Sequence, residues 1–375
     1  MFLAGGCSRA ALQPVPDAEA LTATPVHLAS STPAATPTAE ARPTPTALPP
    51  GINPLTGLAA ADPALLERRP IIVKVQNVPR ESRPQWGLSL ADIVYEYYIE
   101  YGDTRFAAVY YGQDSSLVGP IRSARHVDMH LVEMYQSLLI FGGAYADLYE
   151  QMLESDFGDR LIREGPNTAA ALRRYDPNGW NYLLADTGAV KEVVELYRMD
   201  NERPDLQGMA FALEPPQDGQ TGSDLFVRFS GGMYSHWQYD PAGGVYVRYA
   251  DAENDVDRNK PVYALQTDRL TEAPILAENV VILLAPYRVL IEETASSPGV
   301  YDIDLLGKGE AFLARDGMIY PAFWQRETVT EVLHLVDGNG NAVSFKPGRT
   351  WFEVLEASSA VAVNVDQWQF TFNRP

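Results

Sequence analysis

The sequence has little cysteine and histidine, with one cysteine and five histidines among 375 residues. A single cysteine cannot form an internal disulfide, and it cannot supply a zinc cluster of several thiolates. No run of 18 apolar residues occurs, so no membrane-spanning helix is expected. Neither a Walker loop nor a dinucleotide-binding glycine motif is present, and no cofactor is expected.

Basic side chains are also scarce, because 29 Lys and Arg stand against 49 Asp and Glu, for a formal net charge of -20. A chain this acidic repels nucleic acid and anionic lipid headgroups, so no nucleic-acid partner is expected. The simplest interpretation of the charge is solubility. Apolar residues reach 46%, with 20 Tyr and 6 Trp, which favours a real core and β-rich structure.

The N-terminus resembles a bacterial lipoprotein signal, with small residues directly before Cys7. In such a signal the cysteine thiol is acylated and holds the protein to the membrane, outside the cytoplasm. Residues 1–7 would then be the remnant of the signal. Only Phe2 and Leu3 remain of an apolar segment, which a start codon upstream of Met1 would explain.

Residues 8–50 are dominated by Pro, Thr and Ala and lack aromatic residues. Such a segment cannot bury enough surface to offset its ordering entropy, so a disordered tether is expected. Its prolines favour extended conformations, which makes the tether a semi-stiff spacer.

The length beyond the tether predicts two folded domains in an α+β protein. Residues 51–217 mix strand patterns with helical ones and predict a mixed α/β domain. Residues 218–375 show strand patterns at short spacing with turns such as Asp316-Gly317 between them, so this half is predicted to be mostly β, as a sandwich or open barrel.

The most informative segment is Gly119-Pro120-Ile121-Arg122-Ser123-Ala124-Arg125, where a turn precedes a helix predicted over residues 121–136. Two arginines near a helix start oppose its dipole, so the placement costs stability unless an anion lies between them. A ligand carboxylate or phosphate is one interpretation. The other is that Arg122 and Arg125 pair with local acids such as Glu96, Glu100 or Asp103.

A polar cluster is predicted beside these arginines. Glu96 and Glu100 are four residues apart on a predicted strand, which places them on one side, and Arg105 lies on the neighbouring strand. Such a cluster suits acid/base chemistry, and it suits a structural ion-pair network equally well.

Other catalytic and metal-binding patterns find little support. His126, His130 and Glu133 would share one face of the predicted helix, but they lack the His-Glu-x-x-His pattern, and no metal is expected. Ser123 does not lie in a Gly-x-Ser-x-Gly elbow.

Four blocks of sequence resemble one known family. They are Arg83 to Ser89, Ala91 to Glu96, Thr104 to Phe106 and Gly119 to Arg125. In order and spacing they are similar to the YerB-like bacterial lipoproteins, a family of unknown function (DUF3048) with separate N- and C-terminal domains. The resemblance covers nearly all of the chain after the tether and implies a surface lipoprotein. It implies no activity.

The chain departs from the family pattern at two places. Glu100-Tyr101-Gly102-Asp103 stands where members often have Glu-Gly-Gly, and Trp180-Asn181 stands where members tend to have His-Asn. If that histidine is a catalytic base in other members, this chain lacks it.

Two functions remain open. One is a membrane-anchored binding or scaffold protein of the cell envelope, with a polar or anionic ligand such as a wall glycan, a peptide or another small anion at Arg122, Arg125, Arg105, Glu96 and Glu100. The alternative is an envelope hydrolase that uses Glu96 or Glu100, with the arginines as electrophilic stabilisers.

Overall fold

The computed structural model describes residues 48–175 and 182–375. Cys7, most of the predicted tether and the Trp180-Asn181 pair lie outside the described residues. In the described part of the chain, no helix combines the length and apolar character needed to cross a bilayer.

The first half of the body mixes helices and strands. Its elements are β1 (Ile71–Gln76), β2 (Ile93–Tyr98), β3 (Thr104–Tyr110), α1 (His126–Tyr135), β4 (Leu138–Ile140), α2 (Ala146–Glu154), β5 (Leu161–Ile162), β6 (Leu172–Arg174), β7 (Leu183–Ala185) and α3 (Val190–Tyr197). Short 3-10 helices occur at Pro63–Glu67, Arg80–Ser82, Leu88–Leu90 and Gly158–Arg160.

The second half consists of strands. They are β8 (Gln220–Thr221), β9 (Asp224–Arg228), β10 (Tyr234–Asp240), β11 (Val245–Asp251), β12 (Tyr263–Leu265), β13 (Leu276–Ala277), β14 (Asn279–Ala285), β15 (Tyr287–Ile291), β16 (Val300–Ile303), β17 (Gly307–Arg315), β18 (Met318–Arg326), β19 (His334–Val336), β20 (Thr350–Glu356), β21 (Ala360–Asn364) and β22 (Gln367–Thr371). The predicted α+β class, with a mixed first half and a mostly β second half, is confirmed.

A single large sheet runs through both halves, in the order β19-β18-β17-β14-β20-β2-β3-β1-β4-β5, with β8 beside β18. The halves meet where β20 pairs in parallel with β2, and Glu96 lies opposite Glu353 in that pairing. Strands β14, β17, β18, β19 and β20 of the second half therefore complete a sheet begun by the first half.

A smaller sheet, in the order β12-β11-β10-β9-β22-β21 with β13 beside β11, packs on one face of the large sheet. Aromatic rings fill the space between the two sheets: the rings of Trp237 and Trp351 lie 5.3 Å apart, and those of Phe312 and Phe370 lie 5.4 Å apart. Helix α1 covers the opposite face, where the Tyr135 hydroxyl lies 2.7 Å from that of Tyr95 on β2. The central strand β2 is consequently buried on both faces.

The helix predicted to start at residue 121 begins at His126. The reason lies in the backbone of the preceding residues. The amide of Gln76 donates to the Pro120 carbonyl at 2.9 Å, and the amide of Arg122 donates to the Lys74 carbonyl at 3.0 Å. Residues 119–122 thus extend the large sheet beside β1 instead of forming a helical turn.

A candidate anion-binding site

Four neighbouring strand segments present polar side chains on the face that α1 covers. Arg105 on β3 lies opposite both Gln76 on β1 and Tyr97 on β2, so the three side chains share a face. Lys74 shares it too, two residues before Gln76. Arg122 lies opposite Lys74, since Val75 and Ile121 form an antiparallel bridge.

A glycine turn positions Arg122 at this site. Gly119 has φ of 146°, and a Cβ there would lie 2.9 Å from the Leu184 side chain and 3.0 Å from the Leu183 carbonyl oxygen. Only glycine fits such a close approach. The turn directs the following residues along the edge of β1.

The N-terminus of α1 is already balanced by a carboxylate. Asp128 accepts a hydrogen bond from the Arg125 amide at 2.6 Å, and its other oxygen lies 3.0 Å from the Lys74 ammonium. Tyr97 donates to the same oxygen at 2.5 Å and accepts from Lys74. Lys74 and Asp128 are both fully buried. The N-terminus of α1 therefore needs no further anion to balance its dipole.

Glu100 joins two of the arginines. Arg125 Nε donates to Glu100 at 2.8 Å, and Arg105 lies 3.9 Å from the same carboxylate. A second nitrogen of Arg105 donates to the Ser123 carbonyl at 2.8 Å. The interpretation that Arg125 pairs with a local acid agrees with this geometry.

The cluster carries more positive than negative charge. Its cations are Lys74, Arg105, Arg122 and Arg125. Its carboxylates are Glu100 and Asp128, and Asp103 lies close enough to Arg105 and Glu100 to interact with both. Burial lowers the pKa of Lys74 to about 8, although Asp128 opposes this shift. Burial also lowers the pKa of Arg105 to about 9, and the positive charges of Arg125 and Arg122 act in the same direction. The four cations thus stand close enough to repel one another.

Gln76 adds an unsatisfied group to the same face. Its side chain is 1% exposed, and neither its amide nitrogen nor its amide oxygen has a hydrogen-bond partner among the described residues. Leaving a buried amide unpaired costs about 1–3 kcal/mol per group. A polar ligand or water beside Arg105 would remove that cost.

Glu96 does not belong to this cluster. It lies on the opposite face of β2, where it accepts hydrogen bonds from Thr104 at 2.7 Å, Asn77 at 3.0 Å and the Arg248 guanidinium. Glu100 reaches the other face because β2 ends at Tyr98 and a turn follows. The expectation that residues 96 and 100 share a side of one strand therefore differs from the structure.

Lys74, Gln76, Tyr97 and Asp128 were missed by sequence reasoning. A signal was present for two of them, because Lys74 interrupts the apolar run Ile71 to Val75 and Gln76 directly follows it. A polar residue in a strand that is buried on both faces needs a partner or a function. Nothing in the local sequence indicates that Tyr97 and Asp128 meet Lys74.

The three residues considered for zinc do not form a metal site in the described residues, where no group of three or more His, Cys, Asp or Glu suits a metal ion. His130 Nε2 lies 3.1 Å from Asp302 on β16 instead. Asp302 also pairs with Arg288.

Comparison with known proteins identifies the family of this chain and a solved structure with a similar fold. Residues 55–195 match the "Protein of unknown function (DUF3048) N-terminal domain", and residues 225–352 match the "Protein of unknown function (DUF3048) C-terminal domain". The chain is 28% identical over 321 residues to the "Putative lipoprotein YerB" of Bacillus subtilis (strain 168), which covers 83% of this chain and 88% of that protein. The crystal structure of the YerB protein from Bacillus subtilis matches with a TM-score of 0.65 and 26% identity, over 81% of this chain and 96% of that one. The chain belongs to the DUF3048 family, and it carries both domains of that family in the same order.

Proposed function

We propose that this protein is a membrane-anchored lipoprotein of the cell envelope whose body binds an anionic ligand between Arg105, Arg122 and Arg125. Lipid attachment at Cys7 would hold the body outside the cytoplasm, and residues 8–50 would set its distance from the membrane. The similarity to a protein named as a lipoprotein supports the anchor.

The observation that carries the binding proposal is the grouping of guanidinium groups beside an unsatisfied amide. Arg105, Arg122 and Arg125 lie together in a chain whose net charge is -20, and the Gln76 side chain on the same face has no hydrogen-bond partner among the described residues. Grouping buried cations is unfavourable unless opposite charge compensates them. Glu100, Asp128 and Asp103 supply part of that charge, and an anion that reaches Arg105 and the Gln76 amide would add to it.

The chemistry of the site suits a carboxylate or phosphate group. Guanidinium groups bind such anions through paired N–H donors, and the Gln76 amide adds a further donor. Solvent reaches the cluster, because the side chains of Arg105 and Arg125 are 14% and 21% exposed. Wall glycans and peptides carry groups of this class.

The hydrolase alternative required Glu96, Glu100, Arg105 and Arg122 to converge on one site. Glu96 lies on the opposite face of β2, and Glu100 is held by Arg125. The convergence that this alternative needs is therefore missing among these four residues, and the binding proposal is the one we carry forward.

The test is calorimetric titration of the full chain carrying Cys7→Ser, with inorganic phosphate and soluble wall muropeptides as probes. Arg122→Ala should weaken binding at least about tenfold, because charge-assisted hydrogen bonds contribute about 1.5–3 kcal/mol. Arg203→Ala is the matched control, since Arg203 forms an exposed pair with Glu67.

The pH dependence gives a second readout. Lys74 loses its proton as the pH rises past about 8, so affinity should fall between pH 7 and pH 9. Full affinity in Arg122→Ala, or no binding of any probe by the parent chain, would overturn the proposal.

A further inference from the structure

A cavity lies at the C-terminal end of α1, away from the candidate anion-binding site. It has a volume of about 430 Å³, which is within the range of small-molecule sites. Its lining comes from the end of α1, the turn after α2, the segment after α3 and the loop between β18 and β19. Both halves of the chain therefore build it.

Arg160 lines this cavity, and one nitrogen of its guanidinium group is unsatisfied. The residue is 8% exposed, and its Nη1 atom is buried without a hydrogen bond. The guanidinium lies 5.9 Å from the Phe157 ring. A buried guanidinium nitrogen without an acceptor is unfavourable, so Nη1 calls for a hydrogen-bond acceptor.

The neighbouring arginine shows the contrast. Arg69 donates to the Gln136 carbonyl at 2.9 Å and to the Asp200 carbonyl at 3.1 Å, and it pairs with the Asp200 carboxylate. Arg69 is therefore satisfied within the protein, and Arg160 is not.

The same cavity also carries negative charge. Glu133, Asp156 and Asp159 line it, and none of the three forms an ion pair within the described part of the chain. Asp159, Asp200 and Asp156 lie close enough to raise the pKa of Arg160, although burial and Arg69 lower it more. A simple anion would meet repulsion from these acids, and a simple cation would leave Nη1 of Arg160 without an acceptor.

We propose that this cavity binds a zwitterion, with its carboxylate on Arg160 and its ammonium group on Asp156 and Asp159. Phe157 and Val329 supply an apolar wall for a small side chain. The ligand class is an amino acid or a short peptide with both ends free. This site is separate from the anion site in position and in chemistry.

The experiment titrates the full chain carrying Cys7→Ser with alanyl-alanine, its C-terminal amide, its N-acetyl form and free alanine. We expect a dissociation constant of roughly millimolar or tighter for one of the two zwitterions. Removing either charged end should weaken binding at least about tenfold. Comparison of alanine with alanyl-alanine tells amino-acid from peptide recognition.

Variants locate the ligand. Arg160→Met should abolish binding and Asp159→Asn should weaken it. Arg163→Met is the matched control, because Arg163 is exposed and stacks on Tyr149 at 4.5 Å. Arg122→Ala should leave dipeptide binding unchanged, which separates this result from the test of the anion site.

Three results would overturn the inference. They are no binding of either zwitterion by the parent chain, equal binding of the amide or N-acetyl form, and unchanged binding by Arg160→Met. The analogue series on the parent chain decides the matter even if Arg160→Met does not fold.

Discussion

Arg248 on β11 donates a hydrogen bond to Glu96 on β2, and both side chains are almost fully buried. The pair joins the smaller sheet to the large one across 152 residues of sequence. Trp351 stacks against the guanidinium at 4.8 Å, and Gln266 accepts from another of its nitrogens. The contact between the two sheets is thus polar at its centre and aromatic around it.

Replacing one residue of the Arg248–Glu96 pair should lower the free energy of unfolding. Arg248→Met leaves the Glu96 carboxylate buried without its charge partner, which costs about 3–5 kcal/mol. Urea denaturation measures the free energy of unfolding. The control is Arg203→Met in the exposed Arg203–Glu67 pair, which should cost less than about 1 kcal/mol. Equal losses of unfolding free energy in the two variants would mean that the buried pair stabilises the protein no more than the exposed pair does.

Glu353 should make stability depend on pH. Burial, and then the neighbouring Glu96 charge, raise the pKa of Glu353 from 4.5 to about 8. Between these values the folded protein keeps a proton that the unfolded chain has lost. The contribution of this group is therefore complete below pH 4.5 and is lost as the pH rises through about 8.

The matched variant is Glu353→Gln, which cannot titrate. Its stability relative to the parent should increase from pH 5 to pH 8, by at most about 1.4 kcal/mol per pH unit. Denaturation curves of both proteins at each pH measure this difference. A difference that does not change with pH would show that Glu353 ionises normally.

The buried Lys74–Asp128 pair should behave as a unit. Lys74→Met or Asp128→Asn alone leaves one buried charge unpaired and should cost about 3–5 kcal/mol. The double variant should lose less than the sum of the single losses, because it removes both charges. Chemical denaturation of the parent, the two single variants and the double variant gives the coupling energy between Lys74 and Asp128. Strictly additive losses would contradict a direct interaction.

Replacing Gln76 should stabilise the protein and weaken anion binding. Gln76→Leu removes a buried amide without partners, so the unliganded protein should gain about 1–2 kcal/mol. The same change should weaken phosphate binding, because a donor beside Arg105 is lost. Thermal unfolding and titration on one preparation measure both effects. A destabilised variant with unchanged phosphate affinity would remove Gln76 from the site.

The proposed lipid anchor depends on the sulfur atom of Cys7. Cys7→Ser removes the thiol that would be acylated, and the protein should move from the membrane fraction to the soluble fraction. Fractionation of cells that express the full chain measures this, with Ser8→Ala as the control. Unchanged membrane association of Cys7→Ser would refute the anchor.

Much of the fold was predictable from the sequence. The mixed strand and helix patterns of residues 51–217 and the closely spaced strand patterns of residues 218–375 correspond to the observed elements. Asp316-Gly317 joins β17 to β18 as a turn, with both residues at positive φ. These features depend on local preferences for alternation and for left-handed backbone.

The candidate site was only partly predictable. Arg105, Arg122, Arg125 and Glu100 do meet, but Glu96 faces the other way. The prediction assumed that one strand continued through residue 100, and the turn after Tyr98 broke the alternation.

The sequence by itself determined the family, the acidic character and the local elements, because composition and short-range periodicity act over a few residues. Only the tertiary structure decided that β2 pairs with β20, more than 250 residues later, and that Arg248 reaches Glu96. Those contacts depend on which strand edges and faces meet, and no local pattern encodes a partner that distant. The contacts of Lys74 with Tyr97 and Asp128 likewise join separate elements of the fold.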